Sequence, residues 1–125
     1  MEFNIGDKVT AIYKTGHYYG EVTKELPTAY TVRVLAIKKH PIQGDLHNPK
    51  DAEVGFFHER KALAHREQAN IPKKMVKPFD GEMPDYKKSL VTAFNEMKAS
   101  LDTEDSAYAK RSLECLESLR TEYGI

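Results

Sequence analysis

Apolar residues recur at every second position up to about Phe79 and at helical spacing from Asp80 onward, so the 125-residue chain changes its preferred backbone part-way along. No single regular element can span that change. The break coincides with a shift of charge: residues 1–79 hold 13 Lys+Arg against 9 Asp+Glu, and residues 80–125 hold 6 against 10. The two parts attract each other. All five His and five of the six Pro also precede Asp80. The reading is two units, 1–79 and 80–125, joined at Asp80-Gly81-Glu82-Met83-Pro84.

The first unit reads as strands. Lys8–Lys14 is rich in β-branched and aromatic residues and ends at Thr15-Gly16, and His17–Thr23 follows, stopped by Leu26-Pro27. Ala29–Ile37 is the longest strand pattern, with Tyr30, Val32, Val34 and Ala36 sharing one face. His40–Pro49 holds two Pro and one Gly and reads as a long loop. An extended segment is expected at Glu53–Phe57, a last short strand at Ala62–Arg66, and a single helical turn at Asn70–Val76. Short strands joined by Gly turns cannot bury a face as separate hairpins, so they are expected to curl into a small barrel. The spacing of Gly6-Asp7, Val9, Gly16, Gly20 and Val22 is that with which SH3-like barrels begin.

The second unit reads as an antiparallel helical hairpin. Pro84 and Asp85 suit a helix start, and Tyr86, Leu90, Ala93, Phe94, Met97 and Leu101 form one apolar stripe. Asp102–Ser106 breaks it and offers caps for a second helix, whose stripe is Ala109, Leu113, Leu116, Leu119 and Tyr123 before Gly124. Neither helix is stable alone at such a length. Each must pack on the other and on the sheet.

Few chemistries are compatible with this sequence. A bilayer span needs about 18–20 consecutive apolar residues, and no window approaches that. The opening Met1-Glu-Phe-Asn-Ile-Gly-Asp-Lys8 has neither the basic nor the apolar stretch of a secretory signal, so a cytoplasmic protein is expected. Cys115 is the sole thiol and sits between Leu113 and Leu116, which makes it a small core residue and leaves no disulfide. His40, His47 and His58, with Asp45, raise the idea of a metal, but their spacing matches no ligand template and no metal or cofactor is expected. His58 and Glu59 would point to opposite sides of a strand, and no nucleophile pattern accompanies them, so no enzyme is expected. Tyr13, Lys14, His17, Tyr18 and Tyr19 near Arg33, Lys38 and Lys39 keep a nucleic-acid-binding barrel as the alternative.

Certain strings are distinctive: Ile12–Gly16 with Tyr19-Gly20-Glu21-Val22, Lys39–Asn48, Phe56–Ala64, Arg66–Pro72, Gly81-Glu82 with Pro84-Asp85-Tyr86, and Arg111–Glu114. Over nearly the whole chain they resemble the kinase-associated protein B family of spore-forming bacteria. That resemblance implies an SH3-like β-barrel with a C-terminal helical hairpin. It also implies a non-catalytic adaptor of a membrane sensor histidine kinase that feeds the sporulation phosphorelay. Members are sometimes called lipoproteins; lipidation needs a Cys near the start, and with Cys115 the only thiol it is not expected here.

With a protein partner, the expected contact patch is Tyr18, Tyr19, His40, Gln43, Asp45, His47 and the turn Phe57-His58-Glu59-Arg60. The competing reading is that the loop hydrogen-bonds itself against the barrel and holds Ile42 and Leu46 in the core. Both readings stand on the sequence.

Overall fold

The computed structural model describes residues 2–45, 52 and 57–125. Five strands form one antiparallel sheet: β1 (Lys8–Tyr13), β2 (Gly16–Glu25), β3 (Ala29–Lys39), β4 (Gln68–Pro72) and β5 (Val76–Pro78). Their order is β4-β3-β2-β1-β5, so the fourth and fifth strands hold opposite edges. Only the 3-10 turn Lys73–Met75 joins those edges. Three such residues rise about 6 Å, whereas a flat sheet of five strands separates its edge strands by about 19 Å. The sheet therefore has to curl, and β4 comes to lie near β1. The result is a small barrel-like sheet, hydrogen-bonded from β4 round to β5 and open between them.

Strand alternation fixes what the curl encloses. Tyr30 and Val32 of β3 meet Val9 and Ala11 of β1, Val22 of β2, Ile71 of β4 and Val76 of β5, all buried, while Val34 packs in a second cluster with Tyr18, Ile37, Ala62, Leu90 and Ala93. Phe3 lies edge-on against Tyr30 at 5.4 Å and donates its backbone N–H to the Tyr30 hydroxyl. Gly20 has no room for a side chain, because a Cβ there would collide with the Arg33 carbonyl of β3.

Two helices follow, α1 (Tyr86–Asp102) and α2 (Ala107–Tyr123). Asp85 caps the first by accepting from Lys88 N, and Ser106 caps the second by accepting from Ala109 N. Gly124, with φ of 72°, ends α2 in the left-handed conformation. Helix α1 packs on the end of β3, where Ile37 N donates to the Ser89 hydroxyl. Alternation stops there: Ala36 and Ile37 are both buried, one strand end being covered on both sides.

Several expectations need correction. Ala62–Arg66 is not a strand; Ala62 is buried, and the chain turns at His65-Arg66, where Arg66 has φ of 70°. Asn70-Ile71-Pro72 belongs to β4, paired with Thr31, Tyr30 and Ala29, and the helical turn is confined to Lys73–Met75. Pro72 is tolerated because it ends an edge strand. Val76 then opens β5, a strand that three residues of sequence cannot announce. Pro84 stands before the α1 cap instead of inside its first turn. Most of Glu53–Phe57, and Leu46, lie outside the described residues. In α2 the buried face includes Tyr108 and Ser112, with Leu113 only half-buried, so the helix is turned slightly from its expected stripe.

Candidate functional site

The β1–β2 hairpin turns through Lys14 and Thr15 with φ of 45° and 72°. A β-branched residue is rarely left-handed, and such strain persists only where the surroundings enforce it. Here the Thr15 hydroxyl accepts from Ile42 N at 2.9 Å, tying the hairpin to the loop after β3. The next residues of that loop are tied from within. Gln43, 2% exposed, donates through Nε2 to the carbonyls of Pro41 and Arg60 and accepts at Oε1 from Arg60 N. Arg60 Nε donates in return to Gly44 O, and Gly44 N donates to His58 O.

Residues 60–63 have no strand neighbour, yet they are not left unpaired. Leu63 N donates to the Tyr18 hydroxyl of β2 at 3.2 Å, and Leu63 O accepts from Tyr86 of α1 at 2.7 Å. Ala62 N donates to the Tyr123 hydroxyl of α2 at 2.9 Å. Four side chains from three elements and the loop thus replace a sheet ladder. An irregular segment can be buried only on such terms.

His40 completes the arrangement and is fully buried. Its Nδ1 lies 3.0 Å from Pro41 O, an obligate acceptor, so Nδ1 carries the hydrogen and Nε2 accepts from the Tyr123 hydroxyl at 2.9 Å. Burial lowers the His40 pKa against the smaller opposing effect of the Pro41 carbonyl bond. The neutral ring is the one this geometry fits. Burial likewise raises Tyr18 and Tyr86 to about 12, so both stay hydroxyls at neutral pH. Both nitrogens of His40 are engaged, and among the described residues no three His, Cys, Asp or Glu are grouped to hold a metal.

The ten residues of the expected patch therefore divide. Tyr18, His40 and Gln43 are interior and act as braces. Tyr19 is half-buried against Phe79 at 4.9 Å on the outer face of the sheet, away from the loop layer. Asp45, Phe57, His58 and Arg60 are half-buried and Glu59 is exposed; His47 lies outside the described residues. Phe57 is held by the Arg111 guanidinium, 4.5 Å from its ring centre, while Arg111 also donates to Ala52 O. Cys115 is half-buried, and burial followed by the Glu59 charge pushes its thiol pKa up, away from thiolate chemistry.

Sequence reasoning missed the helical tyrosines as loop partners. Tyr86 and Tyr123 do stand on the apolar stripes, where their polar tips were the available signal. It also missed a groove of about 470 Å³ beside the loop, between Lys38 and Lys39 at the end of β3 and the Met97–Leu101 face of α1. Tyr108 is on its buried floor, Ile42 is half-buried above it, and Glu96 and Glu104 stand on the helical rim.

Residues 13–124 match the model of the family Kinase associated protein B. The chain belongs to that family. It is similar to Kinase-associated lipoprotein B of Bacillus subtilis (strain 168), 55% identical over 121 residues that cover 97% of this chain and 94% of the relative. The X-ray crystal structure of kinase-associated protein B from Bacillus cereus is 46% identical, with a TM-score of 0.85 over 99% of this chain and 100% of that one. Residues 40–45 and 57–63 of the braced segments and the helical hairpin thus lie within the matched region. No helix among the described residues is long and apolar enough to cross a membrane.

Proposed function

We propose that this protein is a non-catalytic accessory that associates with a sensor histidine kinase of a sporulation phosphorelay and biases its active state. Family membership supports the kinase partner. The reading that no catalysis occurs is supported by the roles of the reactive side chains: His40 is neutral and doubly hydrogen-bonded, and the Cys115 thiol is held protonated. Such a protein works in the cytoplasm, at the membrane only through the kinase.

The observation that carries the binding role is the side-chain bracing of residues 60–63 and of the facing loop. Residues 41–44 and 60–63, held by these bonds, lose little conformational entropy when they dock, so contact energy is not consumed in ordering them. The contact face comprises Asp45, His47, Phe57, His58, Glu59 and Arg60, with Tyr18, His40 and Gln43 supporting it from behind. Tyr19 extends it only if the partner reaches the outer face of the sheet. Units 1–79 and 80–125 serve it jointly, the first supplying the loops and Tyr18 and the second Tyr86 and Tyr123.

Co-purification with the soluble part of the cognate kinase tests the reading. Wild type should be retained, and Glu59→Lys should be retained less at an unchanged melting temperature, since Glu59 is exposed. No retention of wild type removes the kinase reading. Equal retention of the variant removes the 57–60 face.

A further inference from the structure

The groove beside α1 does not end at β3. A second hollow of about 310 Å³ lies across the outer face of β1, and His17 and Lys38 line both. The two hollows adjoin at those residues, along a path from the α1–α2 turn, over the end of β3, to the 3-10 turn, here termed the channel. Its ends differ. At the helical end the floor is apolar and recessed: Ala93, Leu101 and Tyr108 are buried beneath the rim, with Met97 and Ile42 half-buried above them. At the sheet end the walls are Lys38, Lys74 and Lys77, around Ile12 and Met75, which are 37% and 38% exposed.

Charge along the channel is strongly biased. Lys39 adds to the cations where the two hollows meet, and burial followed by the Lys39 and Lys38 charges lowers the His17 pKa, a sign that positive charge is concentrated there. Among the described residues no carboxylate forms an ion pair with Lys38, Lys39, Lys74 or Lys77. The carboxylates of the channel, Glu96 and Glu104, stand on the helical rim only.

We propose that this channel binds an acidic polypeptide segment of a partner protein, with an apolar anchor seated between Ile42 and Met97 and carboxylates lying over Lys38, Lys39, Lys74 and Lys77. The proposal rests on the reading that the protein acts by binding a protein. The partner's polarity is set by the channel: the apolar residues precede the acidic run in space, since acidic groups at the helical end would meet Glu96 and Glu104. Phosphate chains of nucleic acid carry charge along their whole length and would meet the same carboxylates. A lipid surface could touch Ile12 and Met75 at the sheet end but cannot reach the recessed floor at the helical end, where the anchor is placed.

Fluorescence anisotropy on the full chain tests it. The probes are a labelled peptide with a leucine anchor followed by a glutamate run, the same peptide with lysines in place of the glutamates, and a labelled single-stranded oligonucleotide. Sedimentation with phosphatidylglycerol-containing vesicles completes the set. The glutamate peptide should bind, more weakly as salt rises, and the lysine peptide should not. Lys38→Glu with Lys39→Glu should weaken the glutamate peptide about tenfold or more at a melting temperature near wild type, since both lysines are exposed, and Met97→Gln should weaken it less. Equal binding of the two peptides, no binding of the glutamate peptide, or preferential capture of the oligonucleotide or vesicles overturns the proposal. The kinase assay separates the two readings: if the kinase retains the Lys38→Glu, Lys39→Glu protein as well as wild type, the channel fails while the kinase role stands. If wild type does not retain the kinase yet binds the glutamate peptide, the reverse holds.

Discussion

The inside of the sheet and the seam between sheet and helices are both buried, but they are held by different physics. Inside the sheet, Val9, Val22, Tyr30, Val32 and Ile71 meet side chain to side chain, and their backbone groups are satisfied by neighbouring strands. At the seam the backbone of residues 60–63 has no such neighbours, and Tyr18, Gln43, Tyr86 and Tyr123 take the strands' place. The first region follows from a pattern repeated every second residue. The second depends on single side chains arriving from far along the chain, which makes it specific and easily broken.

That contrast can be attacked from both sides. The largest loss is expected from the apolar side: Ile71→Ala, at a fully buried position, should cost about 2–5 kcal/mol in urea unfolding through lost burial and a cavity. Gln43→Leu keeps the bulk but strands the N–H and the carbonyl of Arg60, Pro41 O keeping its His40 donor, and should cost about 2–3 kcal/mol. Its signature is local: amide exchange should quicken near residue 60 and leave the sheet interior unchanged. A uniform change across both regions would refute the separation drawn here.

Tyr123→Phe removes one hydroxyl that serves Ala62 N and His40 Nε2, and about 1–2 kcal/mol should be lost. The same hydrogen bonds carry a pH dependence. Because burial lowers the folded-state pKa of His40, the unfolded chain binds the proton more readily, and stability contributed by the neutral ring is complete above about 6.5. Below that it should fall as pH drops toward the folded-state value, by at most about 1.4 kcal/mol per pH unit. The lost slope in His40→Gln, by urea unfolding from neutral to mildly acidic pH, measures it; an unchanged slope would mean that His40 is not the group responsible. The smallest effect belongs to the outer face of the sheet. Arg33→Ala breaks a 3.0 Å pair with Glu21 that water reaches, and less than about 1 kcal/mol should be lost.

Legibility in the sequence follows the same division. β1, β2 and β3 were readable within a few residues because Val, Ile and Tyr alternate along them, and the helices because Leu90, Phe94 and Leu101 repeat at helical spacing. β5 was not readable, since three residues carry no period. Ala62–Arg66 read as a short strand, but its ladder to β3 is confined to Arg66 N–H, which donates to Val34 O, and the Ala62 and Leu63 amides go to tyrosine hydroxyls instead. Of the candidate patch, the sequence picked out the unusual loop and its His, Gln and Arg. It could not say that Gln43 and His40 turn inward while Glu59 turns out, because facing direction in a loop is set by partners elsewhere in the chain.

By itself the sequence determined the two kinds of element, the charge asymmetry between residues 1–79 and 80–125, and the break at Asp102–Ser106 that supplies the cap of the second helix, all read from the chain without its partners. The tertiary structure decided how far the sheet curls, which tyrosine hydroxyl meets which loop amide, and that Lys38 comes to face Met97 across a channel. Those pairings join residues tens of positions apart, and only a chain closed on itself brings their polar atoms within hydrogen-bonding reach.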